Sequence, residues 1–200
     1  GVVGAGLIKH VENAFGESEM TIGAIYDDVP PDSSAKVVNR IADVYRENKC
    51  DSIVAVGGGS AIDTAKGVNI VISENSSDLM QFMGADMLTK PMRPLIVVPT
   101  TSGTGSEATL VAVIADTDKN IKMAFVSQKL IASAAILDPR MTITLPPHIT
   151  AATGMDALTH AVESYTCIQK NPMSDAYAHA AIKIICEHLV RVVKNGEDEN

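Results

Sequence analysis

The chain has 200 residues, 24 of them acidic and 16 basic, for a formal net charge of −8. With 46 % apolar and 20 % charged residues it reads as a globular chain, long enough to bury a core without disulfide staples and to form one domain or two. The acidic balance and the lack of any basic tract exclude a nucleic-acid backbone partner. No apolar run approaches the roughly 20 residues of a membrane helix. The opening Gly1-Val2-Val3-Gly4-Ala5-Gly6 lacks the basic and apolar regions of a secretory signal. These features predict a cytoplasmic protein without a membrane partner. Cys50, Cys167 and Cys186 are far apart and form no CxxC pair. They are expected to be buried small hydrophobes in a reducing compartment.

Taken in chain order, residues 7–15 predict an amphipathic helix, with Leu7, Ile8, Val11 and Phe15 on one face. Residues 21–26 form a short apolar run, expected as a buried strand. After a Pro- and Asp-rich loop, Ser33 or Ser34 caps a helix whose apolar face is Val37, Val38, Ile41, Val44 and Tyr45. Residues 52–56 are nearly all apolar and largely β-branched, the pattern of a parallel strand covered on both faces. That strand runs into Gly57-Gly58-Gly59-Ser60, and a helix follows to about Ile72. Residues 94–98 repeat the strand pattern and lead into a Thr/Ser/Gly loop at 99–107. Residues 109–115 and 121–126 predict a hairpin around Asp116-Thr117-Asp118-Lys119-Asn120. A short strand is expected at 134–137, and helices at 148–166 and 174–193. Strands alternate with helices to residue 145 and only helices follow. We therefore expect an α/β nucleotide-type domain over 1–145 and the start of an all-helical domain over 146–200.

Three segments are candidates for chemistry. The triple-glycine turn allows close approach to the main chain, and the next helix offers free amides and a positive dipole end suited to a pyrophosphate. Asp63 and Lys66, near the start of that helix, either orient the turn or form a surface pair. The loop from Thr100 to Ser106 sets five hydroxyls and two glycines at the carboxyl end of a strand, where open α/β sheets bind ligands. A mobile polar loop accounts for these residues equally well. Gly103-x-Gly105-x-x-Ala108 matches a dinucleotide fingerprint in form, but a hairpin rather than a helix is expected after it. Finally, Asp156 and His160 share one face of a helix, with Glu163 nearby and apolar neighbours that predict a largely buried helix. A buried carboxylate there needs a positive partner, such as a divalent metal also bound by the His nitrogen. By itself the D-x-x-x-H spacing fits an ordinary helix pair, worth about 0.2–0.5 kcal/mol, better than a metal site. His179 and His188 are nine residues apart and expected on opposite helix faces.

Together GGGSAIDTAK (57–66), PTTSGTGSE (99–107), LDP (137–139) and ATGMDALTHAVESY (152–165) resemble the iron-containing alcohol dehydrogenase family, in the family's order. The resemblance implies a Rossmann-like nucleotide-binding domain followed by a helical metal-binding domain, in a dehydroquinate synthase-like architecture. It implies that Gly58, Gly59 and Ser60 meet the cofactor pyrophosphate, with Asp63 beside them. Thr100, Thr101 and Thr104 would line the nicotinamide side, Lys122 would reach the ribose, and Leu145 would border the same cleft. Asp156 and His160 match the first two metal ligands. The family plan also implies a strand before Gly1, and helices beyond residue 200 that carry two more metal-binding histidines. The implied activity is hydride transfer between a small alcohol or aldehyde and NAD or NADP, using Fe²⁺ or Zn²⁺, in a homo-oligomer such as a dimer. Glycerol dehydrogenases and dehydroquinate synthases share the two-domain plan and form the alternative, beside a nucleotide-binding fragment without catalysis.

Overall fold

The computed structural model describes residues 1–197. They divide into two compact units. The first comprises Gly1–Pro99 and Ser106–Leu137; the second comprises Thr100–Gly105 and the chain from Asp138 onward.

The first unit contains α1 (Ile8–Gly16), α2 (Ala35–Glu47), β1 (Ile53–Gly57), α3 (Gly59–Glu74), β2 (Gly84–Ala85), β3 (Leu95–Pro99), β4 (Val111–Asp116), β5 (Ile121–Val126) and β6 (Ala134–Ala135). Strands β1, β3 and β6 form a parallel sheet in the order β1-β3-β6, with Gly57 opposite Pro99 at its end. The second sheet has the order β2-β5-β4, and β4 and β5 are the expected antiparallel hairpin. Ser34 caps α2 by accepting a hydrogen bond from Val37 N–H. Helix α3 ends at Asn75, whose left-handed φ of 57° is tolerated by its short polar side chain.

Why α3 lies so close to its neighbours follows from Gly67. A Cβ there would run into the side chain of Ile114 on β4 and stand 3.0 Å from Val38 on α2. Val38, Val68, Ile70, Val71, Ile114, Met123 and Phe125 close this core. Full burial of each such side chain is worth roughly 1.5–3 kcal/mol. A second cluster, Ala55, Ile62, Ala65, Leu95 and Val97, joins α3 to the parallel sheet.

Three expectations for this unit need correction. Residues 21–26 do not form a strand: they have no regular secondary structure and no ladder partner among the described residues, and Ile22 and Ile25 are exposed. Apolar β-branched composition favours a strand only where another backbone edge is free to pair with it. The strand after residue 133 is two residues long, and Ile136 and Leu137 are exposed. Cys50 is half-buried, and in the second unit Cys167 and Cys186 are exposed, so the three cysteines are not core hydrophobes.

The second unit is dominated by α4 (Pro147–Thr166) and α5 (Pro172–Lys194). Asn171 starts α5 with a capping box. Its side-chain oxygen accepts from Met173 and Ser174 N–H, and Ser174 Oγ accepts from Asn171 N–H at 2.9 Å. The helices touch at Gly154, where a Cβ would strike Leu189. Helix α4 is not largely buried, as its apolar residues had suggested: only Gly154 and Ala161 are buried along its length. Small residues put one narrow stripe against a neighbour and leave Met155 and Val162 exposed. Among the described residues no helix is long and apolar enough to cross a membrane.

Candidate functional site

The glycine bend joins β1 to α3. A Cβ on Gly57 would lie 2.6 Å from the Ala61 methyl, so the bend can fold this tightly only without a side chain there. Gly58 is the N-cap, and its carbonyl accepts from Ala61 N–H at 3.1 Å and Ile62 N–H at 3.2 Å. Within the described residues the N–H groups of Gly59 and Ser60 have no protein acceptor. They lie at the positive end of a 16-residue helix, the arrangement that takes an anion such as a pyrophosphate.

One turn further along α3, Asp63 and Lys66 are not a surface pair. Lys66 is fully buried. Its Nζ donates toward the carbonyls of Ser106, Thr109 and Val111, each at 2.8 Å, and toward Thr109 Oγ1 at 3.1 Å. Asp63 accepts from Ser106 Oγ at 2.9 Å and Val113 N–H at 3.0 Å, one bond to each carboxylate oxygen. Burial pushes Lys66 down from 10.5 to about 8, partly opposed by the negative charges of Asp63 and Glu107. Burial also raises Asp63, against the hydrogen bonds from Val113 and Ser106 and the charge of Lys66.

The partners of this pair, from Ser106 to Val113, lie about forty residues further along the chain, beyond the reach of any local pattern. A signal for its burial was present. Lys66 follows Ile62 by four residues and precedes Ile70 by four, so its charge lies on the inward stripe of the helix.

In the second unit, Thr100 is buried, Thr101 half-buried and Thr104 exposed. Their loop lies against the first turns of α4, because a Cβ on Gly103 would stand 2.7 Å from both Thr153 Cβ and Thr153 O. Thr153 precedes Asp156 by three residues on the same helix face, so the hydroxyl loop and the Asp156 side of α4 belong to one neighbourhood. As expected, a hairpin follows the GxGxxA stretch, after one short turn of 3₁₀ helix at Ser106–Ala108.

Asp156 Oδ2 and His160 Nε2 meet at 3.5 Å, one helical turn apart, with side chains 46 % and 57 % exposed. A carboxylate oxygen and an imidazole nitrogen held this close are donor types that suit iron or zinc. Among the described residues no group of three His, Cys, Asp or Glu side chains gathers around one point. Glu163 and His179 are exposed and His188 is half-buried. Leu145, half-buried, donates its N–H to Thr142 O in the turn before α4. On β5 of the first unit, Lys122 is exposed and pairs with Asp32 at 3.2 Å.

The family model for the iron-containing alcohol dehydrogenases matches residues 1–139, and the model for the C-terminal part of that family matches residues 150–200. Alcohol dehydrogenase 4 of Schizosaccharomyces pombe is 40 % identical over 199 residues, covering all of this chain and 47 % of that protein. The NAD-dependent methanol dehydrogenase of Bacillus methanolicus is 38 % identical over 193 residues, covering 96 % of this chain and 50 % of the relative. The solved structure of an alcohol dehydrogenase from Oenococcus oeni superposes with a TM-score of 0.93 at 36 % identity, over 96 % of this chain and 50 % of that one. The chain thus spans about half the length of these relatives. On these matches, together with the glycine bend, the hydroxyl loop and the Asp-His helix, the chain belongs to the iron-containing alcohol dehydrogenase family.

Proposed function

We propose that this protein is an NAD(P)-dependent, divalent-metal-dependent alcohol dehydrogenase that moves hydride between nicotinamide and a small primary alcohol or its aldehyde. The observation that carries the reading is the convergence of Asp156 Oδ2 and His160 Nε2 on α4, one turn beyond the residue that backs the hydroxyl loop. This donor pair fits part of the ligand set of an Fe²⁺ or Zn²⁺ ion, as oxygen and nitrogen donors suit both. When bound, the ion supplies Lewis acidity to the alcohol oxygen and the nicotinamide supplies the hydride acceptor.

The chain's own residues bind and orient. Gly58, Gly59 and Ser60 present free amides at the start of α3 to the pyrophosphate, and neutral backbone donors do so without an added charge. Thr100, Thr101 and Thr104 offer hydroxyls and amides to the nicotinamide side, with Leu145 as an apolar border. Lys122 reaches the ribose after leaving Asp32. Asp63 serves the bend by orienting it, since its carboxylate oxygens are already engaged. His160 must present a neutral nitrogen, and Asp156 an ionised oxygen, to hold the ion.

The test is metal content, turnover and NADH binding measured together in Asp156→Ala and His160→Ala. Each variant should lose metal and turnover and keep its dinucleotide affinity. Undiminished turnover in a metal-free variant would refute the assigned role.

A further inference from the structure

The glycine bend lies at the carboxyl end of β1, where Gly57 stands opposite Pro99 of β3. The other end of the same sheet, within the first unit, has an opening of its own. A cleft of about 160 Å³ lies where β3 and β6 begin, lined by residues of α3 and of the two segments that enter those strands. Four residue steps of about 3.3 Å, or about 13 Å, separate the first residue of β3 from the level of the bend.

The polar wall of this cleft is cationic. Arg93 and Lys129 line it, and among the described residues no Asp or Glu does. The Arg93 guanidinium has no hydrogen-bond or ion-pair acceptor among the described residues, yet its backbone is held firmly. Asn69, only 3 % exposed, donates to Arg93 O at 2.9 Å and accepts from Arg93 N–H at 2.8 Å. One buried amide thus grips both sides of a single residue, which places the base of the arginine before any ligand arrives. Lys129 donates to Leu88 O at 2.8 Å and keeps two further N–H donors. Ser133 Oγ accepts from Leu95 N–H at 3.2 Å and retains its own hydrogen to give. Lys66 also lines the cleft, but its ammonium is already taken by three carbonyls. Glu74, the acid whose charge acts on Lys129, has both oxygens engaged by Thr89 and Lys90.

The remaining wall is apolar, with Met92, Leu130 and Ile131. A cavity of about 150 Å³ is enough to hold benzene, so this one suits a ligand of about six heavy atoms. A planar guanidinium matches the two oxygens of a carboxylate, and an ammonium and a hydroxyl beside it add donors to the same anion.

We propose that this cleft binds a short-chain monocarboxylate, with the carboxylate against Arg93, Lys129 and Ser133 and the hydrocarbon tail over Met92, Leu130 and Ile131. The site is independent of the dinucleotide and metal readings, since none of these side chains serves either.

The experiment titrates butyrate, its neutral isostere butyramide and inorganic phosphate into the purified protein by calorimetry. A chelator is present, so that a carboxylate held by a metal ion does not contribute. Wild type, Arg93→Gln and Lys129→Gln are compared, and Tm is followed with each ligand, because a ligand that binds only the folded chain raises it. Butyrate should bind wild type at one site and raise its Tm. Its Kd should weaken about tenfold or more in Arg93→Gln, the loss of a charge-assisted pair, and by less in Lys129→Gln. Butyramide should bind about tenfold or more weakly than butyrate. Absence of butyrate binding, or a Kd unchanged in Arg93→Gln, overturns the assignment. Phosphate or butyramide bound as tightly as butyrate overturns it too, the first by removing the role of the tail and the second that of the charge.

Discussion

The glycine bend and the Asp156–His160 pair hold the groups proposed to bind cofactor and metal by opposite means. At the bend the groups are backbone amides, held by enclosure: Gly57 against the Ala61 methyl, Lys66 fully buried, both Asp63 oxygens engaged. On α4 the groups are two half-exposed side chains that meet at 3.5 Å on a helix wall. A site made of packed backbone cannot be altered without disturbing the fold. A site made of side chains on a formed helix can be emptied and leave the helix standing.

The largest expected effect falls on the side-chain site. Asp156→Ala and His160→Ala should abolish turnover, while in metal-free protein they shift stability by no more than about 0.5 kcal/mol, the usual range for exposed positions. Urea denaturation beside a turnover assay checks this. A variant that loses several kcal/mol would show that the pair supports the fold and would break the contrast.

The enclosed site should show the reverse balance, and pH exposes it. Lys66 stands at about 8 when folded against an ordinary 10.5. Between those values the unfolded chain holds a proton the folded chain has released, so this group's contribution to stability is lowest below pH 8 and rises to pH 10.5. The full swing is about 3 kcal/mol at about 1.4 kcal/mol per pH unit. Wild type should gain that much on Lys66→Met between pH 7.5 and 10.5 in urea melts; parallel curves would show that burial does not govern this lysine. A smaller effect is expected from Gly57→Ala. Its new Cβ meets Ala61 at the rigid start of α3, and overpacking of this kind costs about 1–3 kcal/mol. Because the bend itself must shift, NADH affinity should fall with stability. Loss of one without the other would separate what enclosure is said to join.

This division also decided what could be read in advance. β1, α3, β3 and the β4–β5 hairpin announce themselves through local period and composition, and so does the shared face of Asp156 and His160, an i, i+4 relation. What lay hidden depended on distant chain. The partners of Lys66 come from residues 106–111, some forty positions away, although its place on the inward stripe between Ile62 and Ile70 marked it as buried. Residues 21–26 had strand composition, but pairing needs a partner edge that composition does not reveal. Helix α4 was expected to be enclosed because its small apolar residues were read as core. In the structure they form one narrow stripe, and Asp156 and His160 lie on the open side.

The smallest effect tests how far along α3 the coupling between fold and site extends. Glu74, at the end of α3 opposite the bend, accepts from the N–H groups of Thr89 and Lys90 and from Thr89 Oγ1. Burial pushes its carboxyl up, but these bonds and the charge of Lys129 outweigh it and hold the group below its ordinary 4.5. Its contribution is therefore present above that value and is lost as pH falls through the lower, folded one. Glu74→Gln keeps one acceptor and loses the charge, which exchanges charge-assisted bonds for neutral ones at a cost of about 1 kcal/mol. That deficit should appear in urea melts at pH 7 and shrink in acid as wild-type Glu74 takes up its proton. NADH affinity should not change, because Glu74 lies at the end of α3 away from the bend. A weakened Kd in Glu74→Gln would mean that the whole helix, rather than its first two turns, sets the position of the amides.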